Sequence, residues 1–396
     1  MSKWKEYKLG NVAEITSSKR IFYSDYVQTG IPFWRSKEVI EQYNRKAIST
    51  DLFITEEKYK KIKLKFGVPT ANDILLTSVG TIGIPYLVKL DDCFYFKDGN
   101  LTWIRNIDSD LLLPKYLYIW LSSQLGRDSL RGITIGSTQE ALTIVGLKSL
   151  TLSLPQLPKQ KAIIEVFSSL DDKIDLLHRQ NLTLEKMAET LFRQWFIEDA
   201  KEDWEVQPLG RFVTVKRGGS PRPIQEYLSD TGYRWMKISD ATKENSPFIF
   251  EIKEHIKLTG LAKTTLLKKG SLVLSNSATP GIPKIIQVDT CIHDGWLHFP
   301  ISYFSNEFLY LLFKKIRPEL LVQGNGSIFT NLKTDILKEY KIPIPSEKEL
   351  IEFQNNITPT FEKLLSNQTQ IRTLEKLRDT LLPKLMNGEV KVSIDG

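Results

Sequence analysis

The sequence predicts an α+β protein in which two similar strand-rich α/β domains alternate with two long helices that pack as an antiparallel coiled coil, one half of the chain repeating the other. Three observations lead there. At 396 residues the chain exceeds the roughly 250 residues that one hydrophobic core ordinarily organises. Residue patterns of the first half return in the second at a nearly fixed step. Two segments carry apolar residues at alternating steps of four and three, the signature of a helical seam.

The repeat is explicit in the residues. Trp4, Leu9-Gly10 and Val12 return as Trp204, Leu209-Gly210 and Phe212. Gly30, Phe33-Trp34-Arg35 and Glu38 return as Gly232, Trp235-Met236-Lys237 and Asp240. The run from Asp73 to Ser78 leading to Gly83-Ile84-Pro85 is matched by the run from Ser271 leading to Gly281-Ile282-Pro283, and Cys93 and Cys291 fall at that same step of 198 residues. Farther on, Gly136-Ser137, Leu147, Pro155 and Leu184-Glu185-Lys186 map onto Gly326-Ser327, Leu337, Pro345 and Leu374-Glu375-Lys376 at a step of 190.

The first element, residues 1–150, mixes short β-branched and aromatic runs with Gly, Pro, Asn and Asp turns, as a strand-rich α/β recognition domain should. The second, residues 151–200, turns helical after the loop Leu154-Pro155 to Pro158. Its seam is Ile163, Phe167, Leu170, Ile174, Leu177, Asn181, Leu184, Ala188, Leu191 and Trp195. Residues 201–345 repeat the first domain. In residues 346–396 a second helix starts at a capping box, Ser346 with Glu349, and its seam is Phe353, Ile357, Thr360, Leu364, Asn367, Ile371, Leu374, Arg378, Leu381 and Leu385. Asn387-Gly388 supplies a stop. Pro359 and Pro383 predict that this helix is kinked or restarted, in two pieces.

One polar residue interrupts each seam. Laid antiparallel, with Ile163 against Leu385 and Trp195 against Phe353, the stripes bring Asn181 opposite Asn367. Laid parallel, each amide would face an aliphatic neighbour, at a cost of about 1–3 kcal/mol apiece. An antiparallel pair with its register fixed by Asn181 and Asn367 is therefore expected, the alternative being two solvent-facing edge positions.

Composition narrows the function. Net charge is +7 and the isoelectric point about 9.0, which favours an anionic partner such as a duplex whose counterions lysine and arginine release. No apolar window is long enough for a membrane span and no leader pattern opens the chain, so a cytoplasmic protein is expected. Two cysteines without metal-ligand spacing read as buried small apolar residues. Two similar readers on a stiff spacer would take two half-sites; about 33 helical residues span ~50 Å, beyond the ~34 Å of one duplex turn. The expected target is bipartite and asymmetric, with unread bases between.

Candidate DNA contacts in the first domain are Arg20, Arg35 and Lys37 near turns, Lys60, Lys61 and Lys63 in a lysine-rich stretch, and Ser137, Thr138 and Gln139 in a compact polar loop. In the second they are Lys216, Arg217, Arg222, Arg234, Lys237 and Lys263, with Asn325 and Ser327 in the matching loop. Any one of these lysines is by default a solvated surface charge, so the regions carry more weight than single residues. The fragments that suggest chemistry are incomplete: Gly260 to Thr265 lacks the second glycine of a phosphate loop, and His293 and His298 near Cys291 lack a fourth ligand. No metal site, no adenine-methylation motif and no hydrolase elbow are found. The rival readings are a coiled-coil scaffold with two protein-binding heads and no DNA role, and a nuclease fused to its own reader. Steep salt dependence of binding separates reader from scaffold, and cleavage by the isolated chain would favour the nuclease.

The repeat, the Leu-Gly near the start of each half, the entry Leu154 to Gln160 into a long helix and the closing Leu381 to Gly388 resemble the specificity (S) subunit of Type I restriction-modification systems, over essentially the whole chain. The resemblance implies a non-catalytic DNA-recognition subunit that binds double-stranded DNA and docks two adenine methyltransferase (M) subunits, with restriction (R) subunits in larger complexes. It also implies that S-adenosylmethionine, ATP and magnesium serve those partners and not this chain. Helix-flank residues such as Asp171, Asp172, Lys173, Glu185, Lys186, Glu189 and Arg193 would then face the methyltransferase, where a solvated salt-bridged face is the default.

Overall fold

The computed structural model describes residues 4–136, 140–243, 245–322 and 331–390. The chain forms two compact units, Met1–Ile174 with Arg372–Gly396, and Asp175–Ile371. Each unit therefore holds a strand-rich head together with part of both long helices, Leu157–Arg193 and Glu347–Met386.

In the first unit, Lys5–Lys8 pairs antiparallel with Thr151–Leu154, so the two ends of the head are stitched to each other where the first long helix begins. A four-stranded sheet runs in the order Glu14–Thr16, Leu101–Arg105, Ile74–Thr77, Pro85–Leu87. Ile74–Thr77 is wholly buried, which explains its unbroken apolar run: a strand covered on both faces has no reason to alternate. A second sheet orders Tyr26–Val27, Phe53–Ile54, Ile31–Trp34 and Tyr95–Phe96, the last two parallel. Leu9, Ile15, Ile74, Leu76, Ile104, Leu117 and Trp120 form one core with Ile163, Phe167, Leu382, Leu385 and Met386, so one face of the head shares its apolar core with the helices, while Trp34, Leu75 and Trp103 belong to a separate cluster.

The second unit repeats this plan with one strand added to each sheet. Val206–Pro208 pairs with Lys341–Pro343. One sheet runs Val213–Arg217, Trp296–Ser302, Leu272–Ser275, Pro283–Ile286, Phe248–Ile249, and the other Leu228–Ser229, His255–Ile256, Tyr233–Met236, Thr290–Ile292, Thr265–Leu267. The parallel pair recurs, Trp235 opposite Cys291 where the first unit has Phe33 opposite Tyr95. Gly30 and Gly232 are matched for a physical reason. Both have positive φ, and a Cβ on either would lie 2.4 or 2.5 Å from the carbonyl oxygen of Ile54 or Ile256.

The helices run antiparallel within each unit. In the second, Asn367 donates from Nδ2 to Asn181 Oδ1 at 3.0 Å, and Trp195 meets Phe353 with ring centroids 5.8 Å apart. In the first, Ile163 and Leu385 share one core and Arg378 reaches Asp171 at 3.4 Å. Asn367 is completely buried, so the edge-position alternative fails. The Ser346–Glu349 capping box is present, with Glu349 Oε2 taking the Ser346 N–H at 2.8 Å, and Gly388 takes the left-handed conformation just beyond the last helical turn.

Three expectations need correction. The second long helix is uninterrupted from Glu347 to Met386 despite Pro359 and Pro383. Asn355 and Asp379, whose carbonyls those prolines leave without an N–H, are exposed, so water can satisfy them while Ile357, Phe361 and Leu382 stay buried. The first seam drifts near its end: Phe192 and Phe196 are buried more deeply than Leu191 and Trp195, and a wider helical turn at Gln194–Glu198 absorbs the change. Cys93 is exposed, and the register places Tyr95, not Cys93, in the position of the buried Cys291. Among the described residues, no helix is long and apolar enough to cross a membrane.

Candidate nucleic-acid interface

In each head the strand that opens the first sheet runs into a basic loop. In the first unit this loop follows Glu14–Thr16. The Lys19 N–H donates to the Tyr95 hydroxyl at 2.7 Å, and the Lys19 ammonium lies 4.9 Å above the Phe66 ring. The next residue, Arg20, projects into solvent with its side chain 70% exposed and donates from Nε to Asp98 Oδ2 at 3.0 Å. Beyond it Phe22 and Tyr23 are exposed, Tyr23 almost completely. Asp25 closes the loop by accepting from Lys58 at 3.0 Å and from the Phe22 N–H at 3.1 Å, and these bonds hold its carboxyl below the ordinary carboxylate range.

The other candidates of this head are placed differently. Arg35 sits at the start of the helix Ser36–Tyr43 and donates to the buried Glu38 at 2.9 Å and to Asp51 at 2.7 Å, so its charge is already met by two carboxylates. Lys37 donates to the Ser49 carbonyl at 3.1 Å. Lys60, Lys61 and Lys63 lie on the helix Glu56–Phe66, whose N-terminus is capped by Thr55. Lys60 and Lys61 pair one turn back with Glu56 and Glu57 at 3.2 and 2.6 Å, while Lys63 is exposed in the last turn. Such surface pairs are weak, leaving these ammonium groups available to an incoming phosphate.

In the second unit the loop follows Val213–Arg217, and Gly218-Gly219 bring it close to the opposite wall. A Cβ on Gly218 would lie 2.3 Å from the His293 carbonyl oxygen, and one on Gly219 2.7 Å from that of Lys263. This approach gathers Arg217, Ser220 and Arg222 around Asp294. Arg217 donates to the Asp294 carbonyl from Nη2 at 2.9 Å, Ser220 Oγ donates to Asp294 Oδ1 at 2.6 Å, and Arg222 donates to Oδ2 at 3.2 Å. The Ser220 bond, with Arg222 and His293 nearby, outweighs burial and lowers the pKa of Asp294, keeping it anionic. Lys263, in the short 3-10 helix Leu258–Lys263, donates to the Tyr227 hydroxyl at 2.6 Å and lies 4.9 Å over its ring. Lys216 and Arg234 are exposed on their strands, Lys216 opposite His298, and Lys237 pairs with Glu254.

Ser137, Thr138, Gln139, Asn325 and Ser327 lie outside the described residues. His293 Nδ1 accepts the Gly295 N–H at 2.8 Å, and His298 is buried on a strand inside its sheet. No group of three or more His, Cys, Asp or Glu residues is placed to hold a metal ion among the described residues.

The sequence reading missed Asp98 and Asp294, the acidic partners of the two loops. A signal exists: Lys97-Asp98-Gly99 returns as His293-Asp294-Gly295 at a step of 196, two residues short of the step that joins the cysteines.

Comparison with known proteins gives one answer. The family model for the Type I restriction modification DNA specificity domain matches residues 1–186 and 201–378. The chain is 27% identical to the Type I restriction enzyme MjaIX specificity subunit of Methanocaldococcus jannaschii, covering 98% of this chain and 94% of that one. It is 23% identical to the HindI specificity subunit of Haemophilus influenzae, covering 98% and 100%. Among solved structures it is similar in fold to the S subunit of a Type I restriction-modification system from M. genitalium, with a TM-score of 0.58, 16% identity and 96% of each chain covered.

Proposed function

Because the chain belongs to the family of Type I restriction modification DNA specificity domains, we propose that its two heads read the two halves of one bipartite, asymmetric DNA target. The observation that carries this reading is the duplication itself. Both heads share one strand order, with a strand added to each sheet of the second, while the side chains on and beside their basic loops differ: Lys19, Arg20 and the aromatic pair Phe22-Tyr23 in one, and Gly218-Gly219, Arg217, Arg222 and Lys263 in the other. Equal scaffolds with unequal surfaces suit two different half-sites.

Catalysis on this reading belongs to partner chains. Two methyltransferase subunits would dock on the helical regions, restriction subunits would join larger assemblies, and S-adenosylmethionine, ATP and magnesium would be bound by those partners. Asp172, Lys173 and Lys186 are exposed on the flank of the first long helix and offer charge for such docking, whereas Glu185 and Glu189 are engaged by Lys314 at 2.6 and 2.5 Å and Asp171 by Arg45 and Arg378 at 2.5 and 3.4 Å.

Domain exchange tests the reading. Replacing residues 201–345 with the corresponding head of a relative, in complex with methyltransferase, is expected to change the sequence of one half of the methylated site and to leave the other half intact. Sequencing of methylated adenines reads the result, and alteration of both halves would refute independent recognition.

A further inference from the structure

The arginine–aspartate pairs of the two basic loops occupy the same place in the two heads, by two separate lines of register. Arg20 and Arg222 are 202 residues apart, the step that also relates Gly30 to Gly232 and Phe33 to Trp235. Asp98 and Asp294 are 196 apart, the step that relates Tyr95 to Cys291, which the parallel strand pairing places opposite Phe33 and Trp235. Both arginines stay mostly exposed, 70% and 77%, and both meet the carboxylate at one edge of the guanidinium, at 3.0 and 3.2 Å. Beside this pair Ser18 and Gly99 return as Ser220 and Gly295, while Ser17 and Lys19 give way to Gly219 and Pro221.

Stability does not account for the recurrence, because an exposed ion pair contributes almost nothing to folding. What the pair does provide is a guanidinium fixed in orientation, with further donors of its planar fork turned to solvent. Because the carboxylate offsets the charge of the guanidinium in part, the pair gains nothing for gripping phosphate, where net positive charge supplies the affinity. It is well suited to a base edge, where geometry decides.

We propose that Arg20 and Arg222 are equivalent base-reading residues, each contacting a guanine in its own half-site, and that Asp98 and Asp294 are the positioning residues that hold them. This rests on the reading of one half-site per head. The test uses the full chain assembled with methyltransferase and a plasmid library in which every target position is randomised. Arg20→Ala is expected to relax one guanine of one half-site, discrimination there falling roughly 5- to 100-fold, with the other half unchanged. Arg222→Ala is expected to do the same in the other half. Asp98→Asn and Asp294→Asn should relax the same positions less, Asp98→Glu should restore most of the preference, and Arg20→Ala with Asp98→Asn together should be no worse than Arg20→Ala alone.

Arg20→Lys keeps the charge but loses the fork. It is expected to lose the base preference with the salt dependence of binding unchanged, and it serves if the alanine variant does not fold. Uniform loss of methylation at all sites, with base preferences intact, would overturn the proposal. So would loss of binding with a shallower salt slope, which marks a phosphate contact. If domain exchange changes one half-site while Arg20→Ala and Arg222→Ala leave the target unaltered, this assignment fails and the two-reader function stands.

Discussion

Glu349 shows how much one side chain organises at the entry to the second long helix. Its carboxylate accepts from Ser346 within the capping box, from Trp204 Nε1 at 3.1 Å and from Lys201 at 2.5 Å, pinning the segment after the first helix against the start of the second. Burial alone would raise its pKa; the bonds from Lys201 and Ser346 outweigh burial and hold it at about 2, against an ordinary value of 4.5. With the folded value below the unfolded one, the unfolded state binds more protons between these limits. The stabilisation is then complete above pH 4.5 and is lost as pH falls towards 2. Glu349→Gln should lower the unfolding free energy at pH 7 by about 1–2 kcal/mol, and the gap from wild type should close over that acid range. Urea titrations at a series of pH values measure it, and a gap independent of pH would contradict the assignment.

The helix pair is specified by polar pairing inside an apolar seam. Asn181 and Asn367 meet at 3.0 Å, and neighbouring Gln368 and Gln180 come within 3.5 and 3.4 Å of the same amides. Because Asn367 is fully buried, Asn181→Leu leaves its amide without that partner, and a loss of about 1–3 kcal/mol is expected. Asn181→Leu combined with Asn367→Leu should recover that loss or exceed wild-type stability, since two apolar groups replace a polar pair in which the buried Asn367 Oδ1 has no hydrogen-bond partner among the described residues. A double-mutant cycle by chemical denaturation gives the coupling. Additive penalties would mean that the two amides do not act as a pair. Proline at 359 is tolerated on this same helix because its cost falls on the solvent side, where Asn355 is exposed, while the buried stripe passes through intact.

For the molecule as a whole, charge is the property that every reading of its partner must use. The net charge of +7 is carried by both heads, and Lys60 and Lys61 are exposed with only a weak pair one turn away. Duplex binding by the methyltransferase-bound chain is expected to weaken linearly in log affinity against log salt. If six to ten phosphates are neutralised, affinity falls about 10³- to 10⁵-fold between 50 and 200 mM salt. Fluorescence anisotropy on a labelled duplex measures the slope, and a salt-independent affinity would remove DNA as the partner of the basic loops.

The sequence by itself determined the doubled plan and the two helical seams, because a repeat and a heptad are periodic properties written along the chain and need no knowledge of what folds against what. It narrowed Asn181 and Asn367 to a facing antiparallel pair or two solvent edges, and the burial of Asn367 decided between them. Only the tertiary structure decided which residues of the heads come together. Arg20 and Asp98 are 78 positions apart and Arg222 and Asp294 are 72 apart, joined because a parallel strand pair carries each aspartate's loop to the arginine's side. Fixed spacing misled where it was followed too literally. Cys93 and Cys291 keep the common step, yet one is exposed and the other buried, because loop lengths differ between the halves and equivalence is set by strand pairing, not by counting.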